Sequence, residues 1–167
     1  MLKKELGQLY EEIYHLQNCE LALGEYYQQL AALLPEEKLF WEGAVSDEIN
    51  HAMQVGKLIG MISSNPLIYG SGRYRVAMLS TYLEGIYENI EKIKRKELPP
   101  NEALRIAFDY ENSVLETKPY DIVNSSDSSF REFKGKFIPE LLEHSERIRQ
   151  FAQKKIEELA GGVSAAK

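Results

Sequence analysis

Apolar side chains recur at every third or fourth position along nearly the whole chain, and that period admits little besides amphipathic α-helix. A first helix is predicted over residues 2–34, with Leu6, Ile13, Leu23, Tyr27, Leu30 and Leu34 on one face. Pro35 suits the first position of a helix, where its missing N–H costs no hydrogen bond, and Glu36 and Glu37 suit the positive helix end. The second helix then runs to about residue 62, with Trp41, Ala44, Val55, Leu58 and Ile62 on one side. So short a connection makes the pair an antiparallel hairpin.

The stretch 63–73 reads as turns, because it holds Asn65-Pro66 and Gly70-Ser71-Gly72. A third helix follows over about 76–96, carrying Leu79, Leu83, Ile86, Ile90 and Ile93, and Pro99-Pro100 ends it. The fourth, over 101–117, turns Leu104, Ala107, Phe108, Val114 and Leu115 inward and stops at Lys118-Pro119. Residues 124–127 read as a loop, and Ser129 with Glu132 fits a capping box for a long last helix. That helix shows Phe130, Phe133, Phe137, Ile148 and Phe151 on one face and ends near Gly161-Gly162. Pro139 inside it removes a backbone donor and is expected to kink or split it. No segment alternates strictly enough to read as strand. The 167 residues thus make one all-α domain over 1–162, with 163–167 as a frayed tail. Two hairpins joined by a crossover helix make an antiparallel four-helix bundle with one extra helix.

Charge narrows the function classes. A net charge of −6 argues against nucleic-acid binding, which needs clustered Lys and Arg. The one dense basic run, Lys92 to Lys96, sits where it complements a helix C-terminus. Cys19 is the only cysteine, so an internal disulfide and a Cys-x-x-Cys metal ribbon are both excluded. No apolar run is long enough for a signal peptide or membrane span, which sets the expectation of a cytoplasmic protein with no membrane partner.

The polar residues that interrupt the apolar stripes carry the functional reading. Glu20 stands on the first helix's inward face, beside Leu23, Gly24 and Tyr27, where a leucine would be expected. Glu48 and His51 share the inward face of the second helix, at a spacing that puts both on one side of a turn. Glu111 on the fourth helix and His144 on the fifth repeat the arrangement in the second hairpin. A carboxylate in a core is costly unless it is paired, hydrogen-bonded or bound to metal. A glutamate and a histidine on one turn offer an oxygen and a nitrogen to one ion. The plainer alternative is a buried polar network in a bundle that holds no metal. His15, near Glu11 and Glu12, is expected at the surface, and Cys19 faces away from Glu20's side. Tyr27 and Tyr110 read as core residues whose hydroxyls are satisfied, the alternative being a hydrogen bond to a metal ligand or an electron relay.

Glu20 with Tyr27, then Glu48-x-x-His51, then Glu111 and a histidine on the last helix, resembles the ferritin-like superfamily and, within it, the rubrerythrin-like di-iron carboxylate proteins. In that pattern two helices give one Glu each and two give a Glu-x-x-His pair each. The resemblance implies a metal centre on Glu20, Glu48, His51, Glu111 and His144, holding iron, as a pair or singly, or another divalent metal. It implies oxidase, peroxidase or ferroxidase chemistry and a homodimer. The second Glu-x-x-His would need glutamate at 141, where this chain has Leu141, and Glu140 is the carboxylate placed to substitute. The four-cysteine iron module of rubrerythrins is missing, so electrons would come from an external donor. The alternative function is a degenerate, metal-free ferritin-like bundle acting as a structural or interaction module.

Overall fold

The computed structural model describes residues 3–72, 76–117 and 119–164, with the side chains of all but 3, 114–117, 119, 120 and 162–164. Five long helices account for most of them: α1 (Lys3–Leu33), α2 (Lys38–Ser64), α3 (Val76–Lys94), α4 (Pro100–Thr117) and α5 (Ser128–Ser164). The all-α expectation holds, with boundaries within a few residues of those predicted. Pro35 opens a single 3-10 turn, Pro35–Glu37, before α2 begins, and Pro100 takes the first position of α4. At the end of α3, the Glu97 N–H reaches the Lys92 carbonyl at 2.9 Å while Lys96 adopts φ 60°, a left-handed cap that stops the helix.

Three expectations need correction. Helix α5 is not split at Pro139; it is one helix from Ser128 to Ser164. It also starts one residue before the capping box, so Ser129 lies inside the helix, and Asp127 accepts the Arg131 N–H at 3.1 Å. Finally, two strands exist where none was expected. β1 (Tyr69–Ser71) pairs antiparallel with β2 (Val123–Ser125), Tyr69 opposite Ser125 and Ser71 opposite Val123. Three residues are too few for alternation to register in a sequence. The expected inward residues Val114 and Leu115 lie outside the described side chains, as do residues 165–167 altogether.

Cross-helix contacts fix the directions. Gln17 of α1 bonds the Ala52 carbonyl and Tyr10 meets Ser63, so α1 and α2 are antiparallel. Lys155 pairs with Glu37, Phe151 stacks on Phe40, and Glu140 meets Gln54, so α5 is antiparallel to α2. Arg149 lies over the Phe108 ring and His144 meets Glu111, so α4 is antiparallel to α5 and hence to α1, whose Tyr26 hydroxyl bonds the Ala103 carbonyl. The helices α1, α2, α5 and α4 form a ring, and α3 lies outside it. That helix carries the chain back from the end of α2 to the start of α4, packed on α1 and holding Tyr110 of α4 through Asn89 and Gly85.

The two-stranded link ties the α2–α3 connection to the α4–α5 connection. Gly72 follows β1, and its N–H bonds the Ile122 carbonyl at 2.7 Å. A Cβ there would stand 1.7 Å from the Asp121 carbonyl oxygen, with two more backbone carbons inside 3.0 Å. Backbone cannot swing aside as a side chain can. Gly72→Ala is therefore expected to cost about 3 kcal/mol, read in a thermal melt as a midpoint about 6–12 °C lower. An unchanged midpoint would contradict the close approach of these two connections.

The apolar core divides in two. One cluster holds Leu23, Tyr27, Leu30, Trp41, Leu104 and Ile148. The other holds Leu9, Ile13, Val55, Ile62, Phe137 and Leu141. Along α1, α2 and α5 alike, the break falls at the same level, and a polar layer fills it.

Candidate metal centre

The layer consists of Glu20, Glu48, His51, Glu111 and His144, each 5% exposed or less. Four helices of the ring supply it. Each residue occupies a position that its apolar stripe would otherwise give to a leucine, so packing of the two flanking clusters forces all five side chains inward. Gly24 of α1 faces α2 here: a Cβ on it would meet the Glu48 Cβ at 3.4 Å, an ordinary van der Waals contact.

Glu48 is the hub. His51 Nδ1 stands 3.1 Å from its Oε2, and His144 Nε2 stands 2.9 Å from its Oε1. His144 Nε2 also lies 3.5 Å from Glu111 Oε1, and Glu20 Oε2 lies 4.0 Å from His51 Nδ1. The Tyr27 hydroxyl donates to Glu111 Oε1. The two imidazoles meet edge to face with centroids 4.9 Å apart.

Three carboxyl groups in one dry layer cannot all ionise freely. Burial, and then the charge on Glu48, hold the Glu20 carboxyl well above the usual carboxylate range. Burial pushes Glu48 the same way, but hydrogen bonds from His144 and His51 outweigh it and bring that carboxyl down to about 2. For His144, burial opposes the charged form, yet its hydrogen bonds to Glu111 and Glu48 prevail and push it up to about 11. The metal-free layer therefore keeps a proton on Glu20, a negative charge on Glu48 and a positive charge on His144. The sign of each effect on stability follows. His144 adds stability that is complete below its ordinary 6.5 and is lost as pH rises through about 11. Glu48 adds stability that is complete above its ordinary 4.5 and is lost as pH falls through about 2.

The donor set fits a metal ion. One donor atom each from Glu48, His51 and His144 lies within 4.8 Å of the others, close to the span of an ion with bonds of about 2.0–2.2 Å. Glu20 and Glu111 lie on the same layer as further oxygens. A second ion would need a fourth carboxylate on α5, and the layer does not hold one. Leu141 is 3% exposed and packs in the lower apolar cluster. Glu140, the expected substitute, is turned out: its Oε1 accepts from Asn50 Nδ2 at 2.7 Å and its Oε2 from Gln54 Nε2 at 2.9 Å, at the protein surface. Leu141 takes the inward position on that turn, and two amide donors on α2 hold the Glu140 carboxylate where water also reaches it.

Two residues that periodicity does not single out complete the surroundings. Asp47 Oδ2 stands 3.3 Å from His144 Nδ1 and also pairs with Arg147. Their signal is visible afterwards as an acid beside Glu48 and a base one turn beyond His144, but exposed charges at such spacings are common on helices. Glu12 escapes the sequence pattern as well: it is fully buried, with Gln8 Nε2 2.9 Å from its Oε1. His15, expected at the surface, is half-buried. Cys19 is no ligand; it is buried against α3 with Sγ 3.6 Å from the Leu79 carbonyl, and burial followed by the Glu20 charge pushes its thiol up to about 12.

No protein family, no curated protein and no solved structure matches the chain. No helix among the described residues is long and apolar enough to cross a membrane.

Proposed function

We propose that this protein is a metal-binding bundle of the ferritin-like kind, similar to rubrerythrins in its donor set, with iron as its metal. The observation that carries the reading is the buried layer itself, in which Glu20, Glu48, His51, Glu111 and His144 converge from four helices. Leaving charged groups in a core costs several kcal/mol per ion after relaxation, a cost that an apolar layer would not bear. The crossover connection through α3 agrees with a ferritin-like chain path.

Iron held there would supply an open coordination position for reducing oxygen or peroxide, or would itself pass from ferrous to ferric. The chain's own groups set the conditions. His51 Nδ1 and Glu48 supply one complete nitrogen–oxygen pair from a single turn of α2. Tyr27 keeps a proton on the hydrogen bond to Glu111 Oε1, and burial with the Glu111 charge holds that phenol above its ordinary range. Trp41 stacks on Tyr27 with centroids 5.5 Å apart and, fully buried, keeps water from that side. With one cysteine in the chain, reducing equivalents come from an external donor. Loaded with ferrous iron and given excess ascorbate, the native protein should consume peroxide faster than the same iron in buffer, and His51→Ala should not. Equal rates for both would contradict the oxidoreductase reading.

Leu141 and the surface position of Glu140 favour a second reading, a metal-free bundle whose polar layer is structural. pH separates the two. A metal must displace the proton from His144, held up to about 11. Affinity for cobalt(II) should therefore climb between about pH 6 and pH 8, by about tenfold per unit for each proton displaced. Competition titrations read this directly; a flat profile would place the metal elsewhere.

A further inference from the structure

The ring of four helices has two close seams, α1–α2 and α4–α5, and two looser ones, α1–α4 and α2–α5. Helix α3 roofs the α1–α4 seam, meeting α1 at Cys19 and α4 at Tyr110. No helix covers the α2–α5 seam among the described residues. Phe40 stacks on Phe151 and Glu37 pairs with Lys155 at one end of it, and two polar latches close the stretch beside the layer. One is Asp47 with Arg147. The other, further along both helices, is Glu140 held by Asn50 and Gln54.

His144 stands between these latches on α5, with the exposed Asp47 and Arg147 side chains directly outside it. Asp47 is 40% exposed and Arg147 50%, whereas His144 behind them is 4% exposed. Asp47 spans the step, since its Oδ2 faces the Arg147 guanidinium on one side and His144 Nδ1 on the other. His144 Nε2 in turn touches Glu48. In the other directions along the bundle axis the layer is walled by the two apolar clusters, which no hydrated cation crosses cheaply.

We propose that a divalent cation enters and leaves the buried layer through the α2–α5 seam, with Asp47 as its first carboxylate contact and Arg147 as the gate. The inference rests on the metal-binding reading. Arg147 excludes a cation twice, by its charge and by occupying the Asp47 oxygen that the ion would use. An exposed ion pair of this kind is weakly held, so the gate opens by a side-chain swing and needs no backbone movement. Removing the arginine lowers the barrier to entry and exit together, because the same side chain stands across the path in both directions. Removing the Asp47 charge takes away the group that draws the ion in.

Stopped-flow mixing with cobalt(II) chloride, followed by the metal's visible absorption, tests this on the full chain. Arg147→Ala should speed uptake and release together by about threefold to fivefold, leaving affinity within about twofold. Asp47→Asn should slow uptake. Lys92→Ala, which removes an exposed pair with Glu88 on α3, should change neither rate. Unaltered uptake in both seam variants would overturn the route. A change in release alone would also overturn it, since that marks a residue which only positions His144. If the native protein takes up no cobalt, the metal-binding reading fails and the gate with it, an outcome distinct from binding at unchanged rates.

Discussion

Glu48→Ala is expected to lower metal affinity by more than about a hundredfold while leaving the bundle folded. Losing a partner outside the ligand shell already costs about 10–100-fold, and Glu48 touches both histidines of the layer. The fold should survive for an electrostatic reason. Glu20 holds its proton partly because Glu48 is charged beside it; without that neighbour Glu20 is freer to ionise. His144 also keeps Glu111 at 3.5 Å, so the buried cation is not stranded. Competition titration with a coloured chelator measures the affinity, and helical circular dichroism confirms the fold. Undiminished affinity in a folded variant would remove Glu48 from the centre.

Leu141→Glu is expected to do the opposite and raise the capacity to two ions. On α5 position 141 precedes His144 by three residues, as Glu48 precedes His51 on α2, and the Leu141 side chain is already buried below the layer. The substitution completes the second Glu-x-x-His pair. Without metal it should be destabilising, by about 2–5 kcal/mol for the lost leucine packing with the desolvation of a carboxyl added. Metal should restore much of that loss, so the variant's melting temperature should rise more on loading than the native protein's does. Isothermal titration measures the stoichiometry. A variant that still takes up a single ion, or none, would show that position 141 does not face the site.

The five inward polar residues were legible because a helix makes a sharp prediction for every third or fourth position, and a charge there is conspicuous. Glu20, Glu48, His51, Glu111 and His144 all fall in the layer for that reason. Glu140 shows where periodicity stops. Residues 140 and 141 both lie within a fraction of a turn of His144's direction, so spacing alone does not choose between them. Competition for the apolar cluster chooses: leucine goes in, and the carboxylate finds Asn50 and Gln54 outside. Asp47, Arg147 and the β1–β2 pair were illegible for a related reason. Their roles arise only when α2 meets α5, or when two connections distant in the chain meet at Gly72. Glu12 was hidden too, since an acid four residues from a glutamine reads as solvated surface.

The most direct test of the central claim is the iron content of the native protein. Protein produced in iron-supplemented medium and purified without chelator would be analysed by plasma mass spectrometry, with Glu48→Ala and His51→Ala alongside. The donor set, complete on α2 and lacking a carboxylate at 141 on α5, leads to about one equivalent of iron in the native protein and none in either variant. No iron in the native protein, with both variants folded, would contradict a metal centre and leave the buried layer as a structural network.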